Sequence, residues 1–293
     1  MQHLSHPSRT GVPARPVGRR ALGLGALAGA SALGLAACGI GGGPASGGTG
    51  SGGTVIKVAS HMTPMTDVVE IAATAPEAGG YDIQLVQVSD NVQYNRLLAD
   101  GEVDANFAQH EPYMQAFNEA NGAQLVKLAP VYDAKVGYYS KAYDTVEEIP
   151  EGARIAIPND VSNEGRALAI LHEHELLTLP GDAGFEGRVA DIAENPLGLE
   201  FVQVDLLNLS SAYDEDDIAL VYNYPTYIAK VGLTPADALL LEETVDQRFA
   251  ISLIAREDNR EDPGIVALRA AMTSETVRAF LEEEHSATLI PAF

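Results

Sequence analysis

From Thr54 the chain alternates between two patterns of apolar and polar residues. Short runs rich in β-branched residues, of strand length, give way to stretches in which apolar residues recur every three or four positions, as one buried face of a helix requires. The pattern predicts strands at 54–60, 81–88 and 103–108, with helices at 64–75, 92–100 and 112–121. Residues 124–140 read as one extended segment, and 145–149, closed by Pro150, as a short helix or turn. The alternation then restarts, with strands at 154–157, 200–204 and 218–222 and a helix at 163–177. A last strand at 249–256 precedes helices at 263–272 and 275–284. Two successive α/β blocks, with a final strand and helices returning to the first, imply an α/β architecture of two lobes joined by crossing strands. A ligand cleft is expected between the lobes, at the carboxyl ends of the strands. Lobe 1 is expected to hold residues 54–140 plus 248–293, and lobe 2 residues 141–247.

The N-terminus follows a different pattern. Arg9, Arg15, Arg19 and Arg20 stand with no acid before them, the apolar stretch 21–37 follows, and Leu35-Ala36-Ala37 leads into Cys38, the one cysteine of the chain. This is the form of a bacterial lipoprotein signal peptide over 1–37. As a helix the stretch spans roughly 25 Å, short of the ~30 Å hydrocarbon core, so it is not expected to act as a spanning anchor. Acylation of Cys38, with palmitate for example, and a Gly/Ser tether over 38–53 would leave a folded domain on a flexible leash at the outer face of the cell membrane. Arg19-Arg20 is compatible with twin-arginine export as well as with an ordinary secretory signal.

Charge and cysteine usage narrow the function classes. Cleavage before Cys38 removes four of 18 basic residues and none of 41 acidic ones, taking the net charge from −23 to −27. Such a chain has no basic surface for phosphate, so nucleic acid is excluded as a partner. With Cys38 acylated, no thiol remains for a disulfide, a thiolate metal site or nucleophilic catalysis. Phosphate-cradling glycine loops, a G-x-S-x-G elbow and an H-E-x-x-H helix are all absent from the mature region. His172 and His174, two apart on an expected helix, point about 200° from each other and cannot share a metal ion. Asp214-Glu215-Asp216-Asp217 lacks the spacing of a calcium loop and reads as a solvated turn. No catalytic set, metal site or cofactor is expected.

Three segments carry polar groups at strand ends. They are Asp104-Ala105-Asn106-Phe107-Ala108-Gln109-His110-Glu111-Pro112-Tyr113, Pro158-Asn159-Asp160-Val161-Ser162-Asn163-Glu164-Gly165-Arg166, and Val221-Tyr222-Asn223-Tyr224. In this order, and with Gly137-Tyr138-Tyr139-Ser140-Lys141, Glu194-Asn195-Pro196, Gly232-Leu233-Thr234-Pro235 and Arg256-Glu257-Asp258-Asn259, they resemble the NlpA-type methionine-binding lipoproteins over essentially all of 54–293. Those are the substrate-binding components of a methionine importer of the ATP-binding cassette class. The resemblance implies a periplasmic-binding-protein-like fold, a small-molecule ligand and a permease with its ATPase as partners. It also implies that Arg166 grips the ligand carboxylate bidentately, a geometry suited to guanidinium. Asn163 and Asn223 would bond around the carboxylate and ammonium, while His110, Tyr113 and Phe107 would surround the side chain.

The chain departs from the family pattern at three positions. Ala108 replaces a phenylalanine, with Phe107 one position earlier on the opposite strand face; Asn91 replaces a loop aromatic; and Ile251 replaces an asparagine. A remodelled side-chain pocket is therefore expected. Methionine is the leading candidate ligand, followed by another amino acid or a short methionine-containing peptide. A cell-surface enzyme on the same frame would need an acid/base pair or nucleophile in the cleft, and an adhesion or signalling protein would not need to retain Arg166, Asn163 and Asn223.

Overall fold

A computed structural model describes residues 53–293. The expected signal peptide, Cys38 and all but the last residue of the tether lie outside the described residues. Two sheets organise the rest. The first has six strands: β1 (Val55–Ser60), β2 (Asp82–Gln87), β3 (Ala105–Gln109), β4 (Leu125–Ala134), β10 (Ile251–Arg256) and β11 (Leu289–Pro291), in the order β11-β4-β10-β3-β1-β2. The second has five: β5 (Gly137–Tyr139), β6 (Arg154–Pro158), β7 (Glu200–Val204), β8 (Leu220–Asn223) and β9 (Leu240–Leu241), in the order β7-β6-β8-β5-β9. Helices α1 (Met65–Thr74), α2 (Gln93–Ala99), α3 (Glu111–Asn121), α7 (Pro263–Met272) and α8 (Glu275–Glu284) accompany the first sheet. The second has α4 (Val161–Glu173) and the one-turn helices α5 (Leu209–Ala212) and α6 (Pro225–Ile228).

Burial follows from position in the sheet. All five residues of β3 are buried, because β1 and β10 flank it and helices cover it. At the second sheet's edge, β7 has no fully buried residue. In each lobe the parallel strands (β1 with β2 and β3, β6 with β7 and β8) run toward the same end of their sheet, which fixes where their following loops gather.

Residues 124–140 are not one strand. The chain leaves the first sheet at Ala134, crosses at Lys135 and Val136, and enters the second as β5, so the expected lobe boundary after 140 is corrected to 135–136. Gly137 sits where the crossing is tightest: a Cβ there would lie 2.7 Å from the Leu240 carbonyl oxygen of the neighbouring strand. The return crossing runs from Glu242 to Ala250 and holds a 3-10 turn at Gln247–Phe249. The expected helix at 163–177 also stops early, at Glu173. Glu175 takes the left-handed conformation (φ 60°), and the chain turns there to bury Leu176 and Leu177. The i, i+2 helical geometry argued for His172 and His174 therefore does not hold, since His174 is the residue that ends the helix. Among the described residues no group of three His, Cys, Asp or Glu side chains is placed to hold a metal ion, and no helix is long and apolar enough to cross a membrane.

Several motif residues turn out to hold the frame. Arg256 donates through Nη1 to the carbonyls of Leu98 and Val103, and Asn259 donates to that of Asp104, so the Arg256-to-Asn259 segment pins the entry to β3. Asn195 closes its own turn by bonding both N–H and C=O of Leu199. Asn106 and Gln109, polar residues on the most buried strand, form an amide cluster with Asn95 of α2, so that no lone amide is desolvated there.

Candidate ligand site

A cavity lies where the carboxyl ends of the parallel strands of both sheets meet. Asn91 follows β2, Gln109 and His110 follow β3, Asn163 opens the helix after β6, Leu206 follows β7, and Tyr224 follows β8. The two crossings add Ala134 and Ile251, and Met65, Tyr94 and Tyr132 complete the apolar wall. Ala108, Asn91 and Ile251, the three departures from the family pattern, all line it.

One hydrogen-bonded chain runs from the cavity wall into the protein. His110 is the N-cap of α3: its Nδ1 accepts from the Tyr113 backbone N–H at 3.2 Å, which leaves Nε2 to carry the proton and donate to Asn163 Oδ1 at 3.2 Å. Burial, and then the positive charge of Arg166, push the imidazole pKa down to about 3, so the ring is neutral at physiological pH. Asn163 Oδ1 also accepts from the Tyr224 hydroxyl at 2.8 Å, and its Nδ2 donates to Asp160, the residue that caps α4. The Tyr224 hydroxyl in turn accepts from Arg166 Nη1 at 3.0 Å.

Arg166 lies behind the cavity wall. It is fully buried and is absent from the cavity wall. Its bidentate carboxylate is Glu242 of the same chain, with Nε to Oε1 at 2.9 Å and Nη2 to Oε2 at 2.6 Å, and Nη2 also reaches the Ala134 carbonyl at 3.1 Å. Its guanidinium carbon lies 4.5 Å from the Phe249 ring centroid and 5.4 Å from that of Tyr224. A desolvated guanidinium needs a paired charge and filled donors, and the two crossings supply both. Phe107 also lies off the wall: its strand face is opposite to that of Ala108, and it packs edge-on against Tyr132 at 5.7 Å within the core. Asn223 is fully buried beside Tyr224, and neither of its amide atoms has a hydrogen-bond partner among the described residues. Of the expected ligand residues, His110, Tyr113 and Asn163 do line the cavity.

The sequence reading passed over most of the aromatic wall. Tyr94, Tyr132, Tyr224 and Tyr227 are all buried and all line the cavity. Tyr224 and Tyr227 carried a signal, a three-residue spacing directly after an apolar strand with Pro225 between them, which starts a helical turn and brings both rings to one side. Glu242 carried none, being one acid among many.

Comparison with known proteins agrees with this architecture. A methionine-binding lipoprotein of Bacillus subtilis is 32% identical over 239 residues, covering 80% of this chain and 87% of the relative. A lipoprotein of Enterococcus faecalis, 42% identical, superposes with a TM-score of 0.75 over 82% of this chain and 100% of its own. A nutrient-binding protein of Burkholderia cenocepacia, solved bound to methionine, is 28% identical with a TM-score of 0.75 over 81% of this chain and 100% of its own. The family profile described as NlpA lipoprotein matches residues 56–293, and the chain belongs to that family.

Proposed function

We propose that this chain is an extracytoplasmic solute-binding lipoprotein, anchored to the cell membrane through a lipid on Cys38, that captures methionine or a related amino acid for an ATP-binding cassette importer. The observation that carries the reading is the cavity at the strand ends of both lobes, walled mainly by aromatic and aliphatic side chains. Its relatives support it, since one binds methionine by name and another was solved with methionine bound. His110, Tyr113 and Asn163 contact the solute directly in this reading. Asn223, fully buried beside Tyr224 and not among the residues lining the cavity, carries an amide with no partner among the described residues. Arg166 acts from behind Tyr224 as a positioning residue.

Native mass spectrometry of residues 54–293, purified without dialysis, is expected to show a co-purified small molecule, and titration calorimetry is expected to show methionine saturating the denatured and refolded protein. Refolded protein that binds neither methionine nor any other amino acid or methionine peptide sinks the reading.

A further inference from the structure

The inner cavity has no charged wall. No lysine, arginine, aspartate or glutamate lines it, and its histidine is the neutral His110. The guanidinium behind Tyr224 is neutralised by Glu242. Five tyrosines, Tyr94, Tyr113, Tyr132, Tyr224 and Tyr227, make up a third of the lining residues. Neighbouring rings meet nearly at right angles, Tyr224 with Tyr227 at 86° and His110 with Tyr113 at 86°, so the walls form a box rather than a stack. His61, packed against Tyr94 and Tyr227, adds no positive charge, because burial and then Lys230 push its pKa down to about 4.

The polar atoms of this box are largely committed. Asn163 Oδ1 accepts from His110 and Tyr224, Gln109 Oε1 accepts from Asn95, and Tyr113 donates its hydroxyl to the Asn91 carbonyl. A ligand side chain ending in an ammonium would need several further acceptors for its N–H groups, beyond those that serve the α-amino group. A methylated cation has no N–H and requires only the negative faces of aromatic rings. Tyr132, fully buried with a hydroxyl that has no partner among the described residues, adds one phenol oxygen toward such a charge.

The approach to the box has the matching sign. An outer chamber adjoins it, sharing Asn91, Tyr113 and Leu206, and is lined by Asp90, Asp160 and Asp205 against the single cation Arg96. Backbone N–H bonds from Val92 and Gln93 hold the Asp90 carboxyl below its ordinary pKa, so it stays ionised. Three carboxylates at the mouth of a strongly acidic protein draw cations inward.

We propose that the cavity selects a methionine derivative whose sulfur is a methylated sulfonium, held by cation–π contact within the tyrosine box. This rests on the reading of the cavity as an amino-acid site and names the form of ligand it prefers. The probes are methionine, S-methylmethionine and homoleucine, in which a C–H group stands where the sulfonium sulfur would be, so that shape is kept and charge removed. Titration calorimetry on refolded residues 54–293 is expected to give S-methylmethionine an affinity at least tenfold above both others. The same preference is expected to fall as sodium chloride is raised, through the acidic mouth. If methionine binds and S-methylmethionine binds no tighter than homoleucine, the sulfonium inference is overturned and the amino-acid site stands. Should none of the three bind, the sulfonium inference falls, and the amino-acid reading is decided separately by the wider panel of amino acids and methionine peptides.

Discussion

Arg166 and Glu242 form a buried pair, and removing one member of such a pair costs more than the pair contributes, because the other charge is left desolvated and alone. Arg166→Ala is therefore expected to lower unfolding free energy by about 3 to 5 kcal/mol, read by urea denaturation of residues 54–293. A loss below about 1 kcal/mol would show that Glu242 has found water or another partner. His110 makes a second prediction at this scale. Its folded pKa of about 3 lies below the ordinary histidine value of 6.5, so the unfolded chain binds the proton that the folded chain refuses. The stability contributed by its neutral form is complete above pH 6.5 and is lost as pH falls from there toward 3, at roughly 1.4 kcal/mol per pH unit. His110→Asn keeps an acceptor for the Tyr113 N–H but cannot titrate. Thermal midpoints measured from pH 7 to pH 4.5 are expected to fall less steeply in the variant. Identical slopes would mean that His110 is protonated in the folded protein as readily as in the unfolded one.

At the scale of elements, Gly165 shows why a helix can carry a glycine in its first turns. A Cβ there would lie 1.9 Å from the Phe185 carbonyl oxygen, so α4 and the loop around Phe185 touch backbone to backbone. That approach brings Phe185 within 5.0 Å of Phe249, whose ring also meets His110 at 5.1 Å. Gly165→Ala removes a helix-propensity penalty of about 1 kcal/mol, yet is expected to lower stability overall because the loop must move. Stability equal to or above the parent would show that the loop yields without loss. The glycine was legible as a motif position, and its reason was not, because residues 165 and 185 meet only in three dimensions. The same division runs through the fold. The strands and longer helices were readable from periodicity, since a buried face imposes one on the chain. The bend at 135–136 was not, because β4 and β5 are apolar on both sides of it and periodicity does not record a change of sheet. β9 and β11, two and three residues long, are too short to show any period. At the site, His110, Tyr113 and Asn163 were readable because each stands at a strand end or helix start. The partner of Arg166 lies 76 residues away, a distance at which one glutamate looks like any other.

For the whole molecule, both crossings converge on one side chain: Arg166 bonds Ala134 at the start of the first and Glu242 at the start of the second, with Phe249 of the second against its plane. The proposed attachment to the membrane rests on a separate feature, the signal and cysteine expected at the N-terminus. Cys38→Ala is expected to move the protein from the membrane pellet to the soluble fraction, since a single cysteine leaves no second acylation site of this kind. Retention in the pellet at the parent's level would require another anchor. The tyrosine box has an optical consequence as well. The chain contains no tryptophan and 11 tyrosines, five of them in the cavity wall, so its ultraviolet emission comes from phenol rings and nearly half of those rings stand around the solute. In most proteins tryptophan would absorb that emission by energy transfer and hide it. Here close to half of the emitting rings belong to the candidate site, and occupancy can be followed in the unlabelled protein by exciting tyrosine alone.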